Sequence, residues 1–175
     1  MKNMRREVLS WLDVESLIDH ITPQFEVEFD AMIIITRGGL VFGGILADLL
    51  NISTILTAAV DFPAEMQTNN KKSTSKLMVW PKFFQFPEDR LLQDQHVLVV
   101  DDVWGSGRTI TVVKNRISAA GGMPYTCVLH FNPYRNIFEG MRPTYYAATT
   151  DAFIVYPWEV DRGKDGVFLG GFPDE

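Results

Sequence analysis

Two adjacent carboxylates, Asp101 and Asp102, follow the apolar run Val97-Leu98-Val99-Val100 and precede Gly105-Ser106-Gly107-Arg108-Thr109. A small-residue loop leading into a helix presents backbone N–H groups to an anion, and the helix dipole adds to the attraction. Carboxylates beside such a site repel the anion unless they serve hydroxyls or a magnesium ion. A ligand with a phosphate at one end and vicinal hydroxyls nearby meets both conditions, and ribose 5-phosphate is one. A bare Asp-Asp pair is more often a solvated turn. The buried-type strand before it and the Gly-Ser-Gly-Arg-Thr run after it argue for the phosphate reading here.

Two other phosphate devices do not fit. A nucleotide P-loop needs G-x-x-x-x-G-K-[ST], and no lysine follows Gly107. Gly38-Gly39-Leu40-Val41-Phe42-Gly43-Gly44 departs from the dinucleotide pattern G-x-G-x-x-G. Arg37, between an apolar run and Gly38-Gly39, reads on its own as an ordinary surface residue. The histidines (His20, His96 and His130) show no metal-ligand spacing and read as structural.

Elements that would position these groups alternate between strand and helix. Ser10 is a plausible N-cap for a helix whose apolar positions are Leu12, Leu17, Ile18 and Ile21, with Pro23 ending it. Residues 31–36 form an apolar run of the kind buried on both faces of a parallel sheet. A helix over 40–50 follows, then a strand over 53–60. Residues 61–82 are polar, a length that marks a functional or disordered loop. Residues 97–100 and 125–130 read as further buried strands, with a helix over 109–120 between them, stopped by Gly121-Gly122. Residues 144–148 and 153–156 supply one or two more. The pattern predicts an α/β fold with a parallel sheet, whose ligands bind beyond the carboxyl ends of the strands.

Composition sets the outer limits. The 175 residues fit one domain, and 46% hydrophobic residues suffice for a core without staples. The lone Cys127 rules out an internal disulfide framework and reads as a buried structural thiol. A net charge of −6 argues against broad nucleic-acid binding. The N-terminal stretch has no apolar signal region, and the apolar-rich residues 38–50 are too few to span a bilayer, so a cytoplasmic protein is expected.

Residues 97–109 resemble the signature of type I phosphoribosyltransferases: a hydrophobic strand, two acids, then a Thr/Ser-Gly-x-Thr loop. Most of the chain shares the likeness, which is strongest to the bacterial xanthine–guanine branch. Thr36-Arg37-Gly38-Gly39-Leu40-Val41 is similar to that branch's pyrophosphate loop, and Phe153-Ile154-Val155-Tyr156-Pro157-Trp158-Glu159 to its base-binding hood. The resemblance implies a type I phosphoribosyltransferase fold over 1–175, with a central mostly parallel sheet flanked by helices, a lid near 62–82 and a hood over 131–175. It implies transfer of the phosphoribosyl group from phosphoribosyl pyrophosphate to a purine-like nucleobase, with Mg2+ as cofactor and a homodimer as the assembly.

By the same resemblance, Gly105, Ser106, Gly107, Arg108 and Thr109 cradle the 5-phosphate. Asp101 and Asp102 take the ribose hydroxyls or, with Glu159, magnesium; Thr36, Arg37 and Gly38 hold the pyrophosphate, where family members often carry a strained or cis peptide. Phe153, Ile154, Asn132 and Trp104 would meet the base, Trp104 as the pocket floor. Lys71, Lys72 and Lys76 of the lid would neutralise the leaving group. Two positions depart from the branch. Six-oxopurine enzymes place an aspartate where this chain has Gly105, and a lysine where it has Asn132. Asn132 can donate or accept a hydrogen bond, which suits an amino-substituted or different heterocycle. The departures motivate an alternative, a non-catalytic protein of the same fold that binds phosphoribosyl pyrophosphate or a nucleotide and regulates a partner. A two-domain pyrophosphokinase-like reading fails on length.

Overall fold

The structure, a computed structural model, describes residues 5–62 and 81–160. Most of the expected lid, including Lys71, Lys72 and Lys76, lies outside the described residues, as does the chain beyond Val160.

Continuous apolar runs become the interior of one sheet. β2 (Ala31–Ile35) is buried at all five positions, and Val97–Val100 are fully buried within β5 (His96–Trp104). Every residue of such a strand faces a covered side, which is why neither run alternates. β2 pairs in parallel with β5 on one side and with β3 (Ile55–Asp61) on the other. β4 (Lys82–Gln85) adds antiparallel to β3, and β6 (Met123–Phe131) pairs in parallel with β7 (Tyr145–Thr149). The order across the six strands is β4-β3-β2-β5-β6-β7. β4 (Lys-Phe-Phe-Gln) was not foreseen: it is a short edge strand, and three of its four residues are exposed.

The described residues fall into two compact units. One collects those of Met1–Glu28, Asp102–Gly107 and Cys127–Glu175; the other holds those of Phe29–Asp101 and Arg108–Thr126. β5 and β6 run through both.

In the first unit, α1 (Trp11–Ile21) opens on Ser10. The Asp13 N–H donates to the Ser10 hydroxyl at 3.3 Å, and Ser10 N–H donates to the Asp13 carboxylate at 2.7 Å, a reciprocal capping box. The helix buries Val14, Ile18 and Ile21 and packs on β7. Leu12 is 73% exposed, so the expected stripe is rotated by the inclusion of Val14. β1 (Arg6–Val8) and β8 (Phe153–Val155) form a separate parallel pair, with Glu7 opposite Ile154. The expected hood therefore combines both ends of the described chain, and a short helix α4 (Pro157–Val160) follows it. Cys127 is sealed, and burial pushes its thiol well above the usual range, so the thiolate needed for reactivity is suppressed.

In the second unit, α2 (Gly39–Leu49) packs on β2, and α3 (Arg108–Ala119) contacts β3. Gly39 begins α2 where the backbone of β5 passes: a Cβ there would stand 2.5 Å from the Val100 carbonyl oxygen and 3.2 Å from Asp101 Cα. Gly44, in the same helix, faces open space within 4 Å. Gly44→Ala should therefore stabilise the protein by roughly 0.5–1 kcal/mol through helix propensity and a less flexible unfolded chain. Gly39→Ala should destabilise it by about 1–3 kcal/mol through forced backbone displacement. Urea unfolding of the two variants should move in opposite directions.

Candidate active site

The first unit contains a cavity of about 180 Å³ beside the end of β5. That is smaller than the ~300–1,000 Å³ of drug-sized sites and suits a single ring system. Six residues singled out in the sequence line it: Asp102, Gly105, Asn132, Phe153, Ile154 and Glu159. Four that the sequence reading did not assign to a site, Val103, Arg135, Ala152 and Tyr156, complete its wall. Arg135 carried no motif, and Tyr156 read as one more apolar residue of a strand.

Three of the polar wall groups are held by local bonds. The Asp102 carboxylate accepts the N–H of Val103 at 2.7 Å. Glu159 accepts the N–H of Tyr156 at 2.8 Å, while its own N–H donates to the Tyr156 carbonyl, so one carboxylate oxygen caps α4. Asn132 is 2% exposed; its N–H donates to the Trp104 carbonyl at 2.9 Å, and its side-chain oxygen accepts from the N–H groups of Tyr134 and Arg135. Phe153 stays 39% exposed, at an open wall rather than in the core. The Phe153 N–H donates to the Arg5 carbonyl, and the Val155 carbonyl accepts from Leu9 N–H. In a parallel ladder alternate residues bond to the same neighbour, so Ile154, between these two, turns its backbone N–H and C=O away from β1.

Trp104 packs beneath Gly107. It lies below the loop rather than in the pocket wall and is 1% exposed. Its indole N–H donates to the side-chain oxygen of Asn136 at 3.2 Å, and its ring stands edge-on to Phe131. Asn136 in turn donates to the carbonyls of Phe138 and Met141, and Ile137 N–H donates to the Ser106 carbonyl at 3.2 Å. Gly107, at φ +79°, rests on the indole so closely that any Cβ would enter the ring. The large apolar side chain that looked like a ligand contact thus shapes the phosphate-type loop from beneath.

In the second unit, Thr36 ends β2 by donating both its N–H and its hydroxyl to the Ala58 carbonyl. The Thr36–Arg37 peptide is cis, and Arg37 is exposed with no ion pair among the described residues. Gly39 holds this turn against Asp101, so Thr36, Arg37, Gly38 and Asp101 are brought together. Arg108 and Thr109 open α3, and the Arg108 guanidinium lies 4.6 Å from the centre of the Phe62 ring. Asp101 and Asp102 are consecutive in a strand, so their side chains leave it on opposite faces. No group of three or more His, Cys, Asp or Glu is placed to hold a metal ion among the described residues.

With this geometry in view, the comparisons with known proteins are specific. The family model of the phosphoribosyl transferase domain matches residues 6–137. The purine phosphoribosyltransferase of Pyrococcus horikoshii Ot3 is 25% identical with a TM-score of 0.68, over 89% of this chain and 94% of that one. A hypothetical protein from Neisseria gonorrhoeae with bound ppGpp is 24% identical with a TM-score of 0.71, over 94% and 93% of the two chains. The xanthine-guanine-hypoxanthine phosphoribosyltransferase of Helicobacter pylori is 14% identical with a TM-score of 0.66, over 91% and 95%. The last two likenesses establish a shared fold. A search of the curated proteins finds no match to this sequence. The chain belongs to the phosphoribosyl transferase domain family. It is a pentosyltransferase of the phosphoribosyltransferase kind, and its expected fold, a mostly parallel sheet flanked by helices, is the one observed. Among the described residues, no helix is long and apolar enough to cross a membrane.

The hydroxyl of Tyr156 holds the first unit's pocket to β5. It donates to the Asp102 carbonyl at 3.0 Å, so its lone pair must accept from His130 Nδ1, 2.8 Å away. His130 is therefore the neutral Nδ1–H tautomer, and burial depresses its pKa to about 4. Tyr156→Phe should cost about 1–3 kcal/mol, since it strands a buried donor and a carbonyl. The unfolded state binds a proton near pH 6.5 that the folded state refuses until about 4. The His130 contribution is thus complete above the unfolded value and lost as pH falls toward 4, amounting to about 3 kcal/mol. Unfolding measured from pH 7.5 to 4 should show the stability gap between the native protein and His130→Gln narrowing through that window.

Proposed function

We propose that this phosphoribosyltransferase transfers the 5-phosphoribosyl group of phosphoribosyl pyrophosphate to a purine-like base, releasing pyrophosphate and forming a nucleotide. The observation that carries the reading is the ring-sized cavity whose wall joins Gly105, the first residue of the phosphate-type loop, to Asp102, Asn132 and Phe153. The named purine phosphoribosyltransferase among the similar structures supports a purine-like acceptor.

In this reading the backbone N–H groups of Gly105–Thr109 and the start of α3 hold the 5-phosphate. Thr36, Arg37 and Gly38 receive the pyrophosphate, and Arg37 balances the negative charge that grows on it as its bond to the anomeric carbon breaks. Asp101 or Asp102 accepts the ribose hydroxyls; their opposite directions on β5 leave one carboxylate for each ligand group. The bond that forms joins a ring nitrogen of the base to the anomeric carbon, and that nitrogen's proton leaves. Gly105 supplies no carboxylate for that proton, a loss on the order of 10²–10⁴ in rate where such a base is used.

Magnesium fits in a limited way. The separated Asp101 and Asp102, and a Glu159 already capping α4, build no protein cage. They suit an ion that keeps its waters and rides on substrate phosphates with one or two carboxylates in support. When bound, it neutralises the departing pyrophosphate. A homodimer belongs to the same reading and rests on the resemblance; a cytoplasmic location and a single-domain organisation rest on the composition and length of the sequence.

The test is pyrophosphate release from phosphoribosyl pyrophosphate and magnesium across a panel of purine and pyrimidine bases. Release with a purine is expected, lowered about 10²-fold or more in kcat by Asp102→Asn, with Arg37→Ala acting on the leaving-group side. Binding without release from any base would instead favour the non-catalytic alternative.

A further inference from the structure

We infer that the groove between α1 and the edge strand β7 is a second ligand site, separate from the candidate active site, that takes a small organic cation bearing an ammonium group on a short hydrocarbon body. The groove has a volume of about 480 Å³, within the ~300–1,000 Å³ usual for small-molecule sites. It lies wholly in the first unit and shares no lining residue with the cavity beside β5. Asp13, Ser16, Leu17 and His20 line it from α1, at a spacing that puts them on one helix face. From β7 come Ala147 and Ala148, whose small side chains leave the space unfilled.

His130 lines the groove although only 5% of it is exposed. Its Nδ1–H donates to the Tyr156 hydroxyl at 2.8 Å, so Nε2 carries a lone pair. That nitrogen accepts from no group among the described residues. Nor is it sealed: the one enclosed side-chain polar atom without a partner among the described residues is the Thr111 hydroxyl. A buried acceptor calls for a donor. Burial holds the ring neutral by depressing its pKa to about 4, so the donor has to come from the ligand.

The charge of the wall decides which donor fits. One Asp13 carboxylate oxygen accepts both Ser10 donors, and one Glu7 oxygen pairs with Arg5 at 3.4 Å. Each carboxylate keeps a second oxygen without a partner among the described residues. No lysine or arginine lines the groove, so nothing there balances a phosphate or carboxylate ligand. An ammonium group meets these conditions. One of its N–H groups donates to Nε2 in a charge-assisted bond, the carboxylates match its charge, and Leu9 and Leu17 cover the hydrocarbon body.

This site does not depend on the transfer reading, and the full-length protein tests it with 1,4-diaminobutane as the probe. In protein carrying nitrogen-15-labelled histidine, the His130 Nε2 resonance reports whether its lone pair accepts a hydrogen bond, and His130→Gln assigns it. At pH 7.5 the resonance should move saturably, with a dissociation constant of about 0.1–10 mM for so small a ligand. 1,4-Butanediol, of the same length but uncharged, should bind at least about 10-fold more weakly, and succinate should leave the resonance in place. Glu7→Gln and Asp13→Asn should each weaken the diamine about 2–5-fold, as exposed charges do. Ser16→Phe, which fills the groove from the surface of α1, should abolish the shift; thermal unfolding verifies that the variants fold. The inference is overturned by no saturable shift up to roughly 50 mM diamine, by an equal response to butanediol, or by a shift that survives Ser16→Phe.

Discussion

The burial of β5 is the constraint from which the candidate site follows. Val97, Leu98, Val99 and Val100 are fully enclosed, so their backbone groups must be paired along the sheet and the strand cannot shift register without exposing them. That fixed rod then continues past the apolar run to Trp104. Its Val100 carbonyl and Asp101 Cα define how closely Gly39 and the turn behind it approach. Its Asp102 carbonyl receives Tyr156, its Trp104 carbonyl receives Asn132, and its Trp104 indole supports Gly107.

The polar groups around the pocket are shared between scaffold and ligand. Glu159 spends one oxygen on the start of α4, Asp102 spends one on the following N–H, and Asn132 spends its oxygen on a turn. Such sharing fixes which atoms remain for a ligand, because a buried polar group rarely gives up a partner without a replacement. It also preorganises the pocket, since the side chains are oriented before anything binds. The neutral His130 extends this logic one layer outward by holding Tyr156, which holds the backbone of Asp102.

What could be read in the sequence was whatever local chemistry determines. The apolar runs gave β2 and β5, and the Ser10 and Asp13 pair gave the start of α1. Long-range pairing was not legible. β1 is Arg-Glu-Val and becomes a strand only because Phe153–Val155 lies beside it, 147 positions further on in the paired register. Trp104 looked like a pocket residue because aromatics line pockets, yet the glycine three places later and Asn136 claim it from the other side. Arg135 carried no motif, and Tyr156 lay within the hood-like segment without a role of its own; their place in the wall depends on how the segment after β6 and the strand β8 meet.

The two departures from the family branch, Gly105 and Asn132, line the same cavity, and this bears on how a base can be recognised there. Neither contributes charge, so discrimination at these positions cannot come from an ion pair or from a proton shared with the ring. The remaining wall charges, Asp102, Glu159 and Arg135, do not distinguish one neutral heterocycle from another by net attraction. Two groups in the wall have a direction set by the scaffold: the side-chain oxygen of Asn132 is held by Tyr134 and Arg135, and the backbone of Ile154 turns away from β1. Direction discriminates only when the groups cannot rearrange. The tie of Asn132 to Trp104 and the turn that holds its oxygen together fix the direction of the amide.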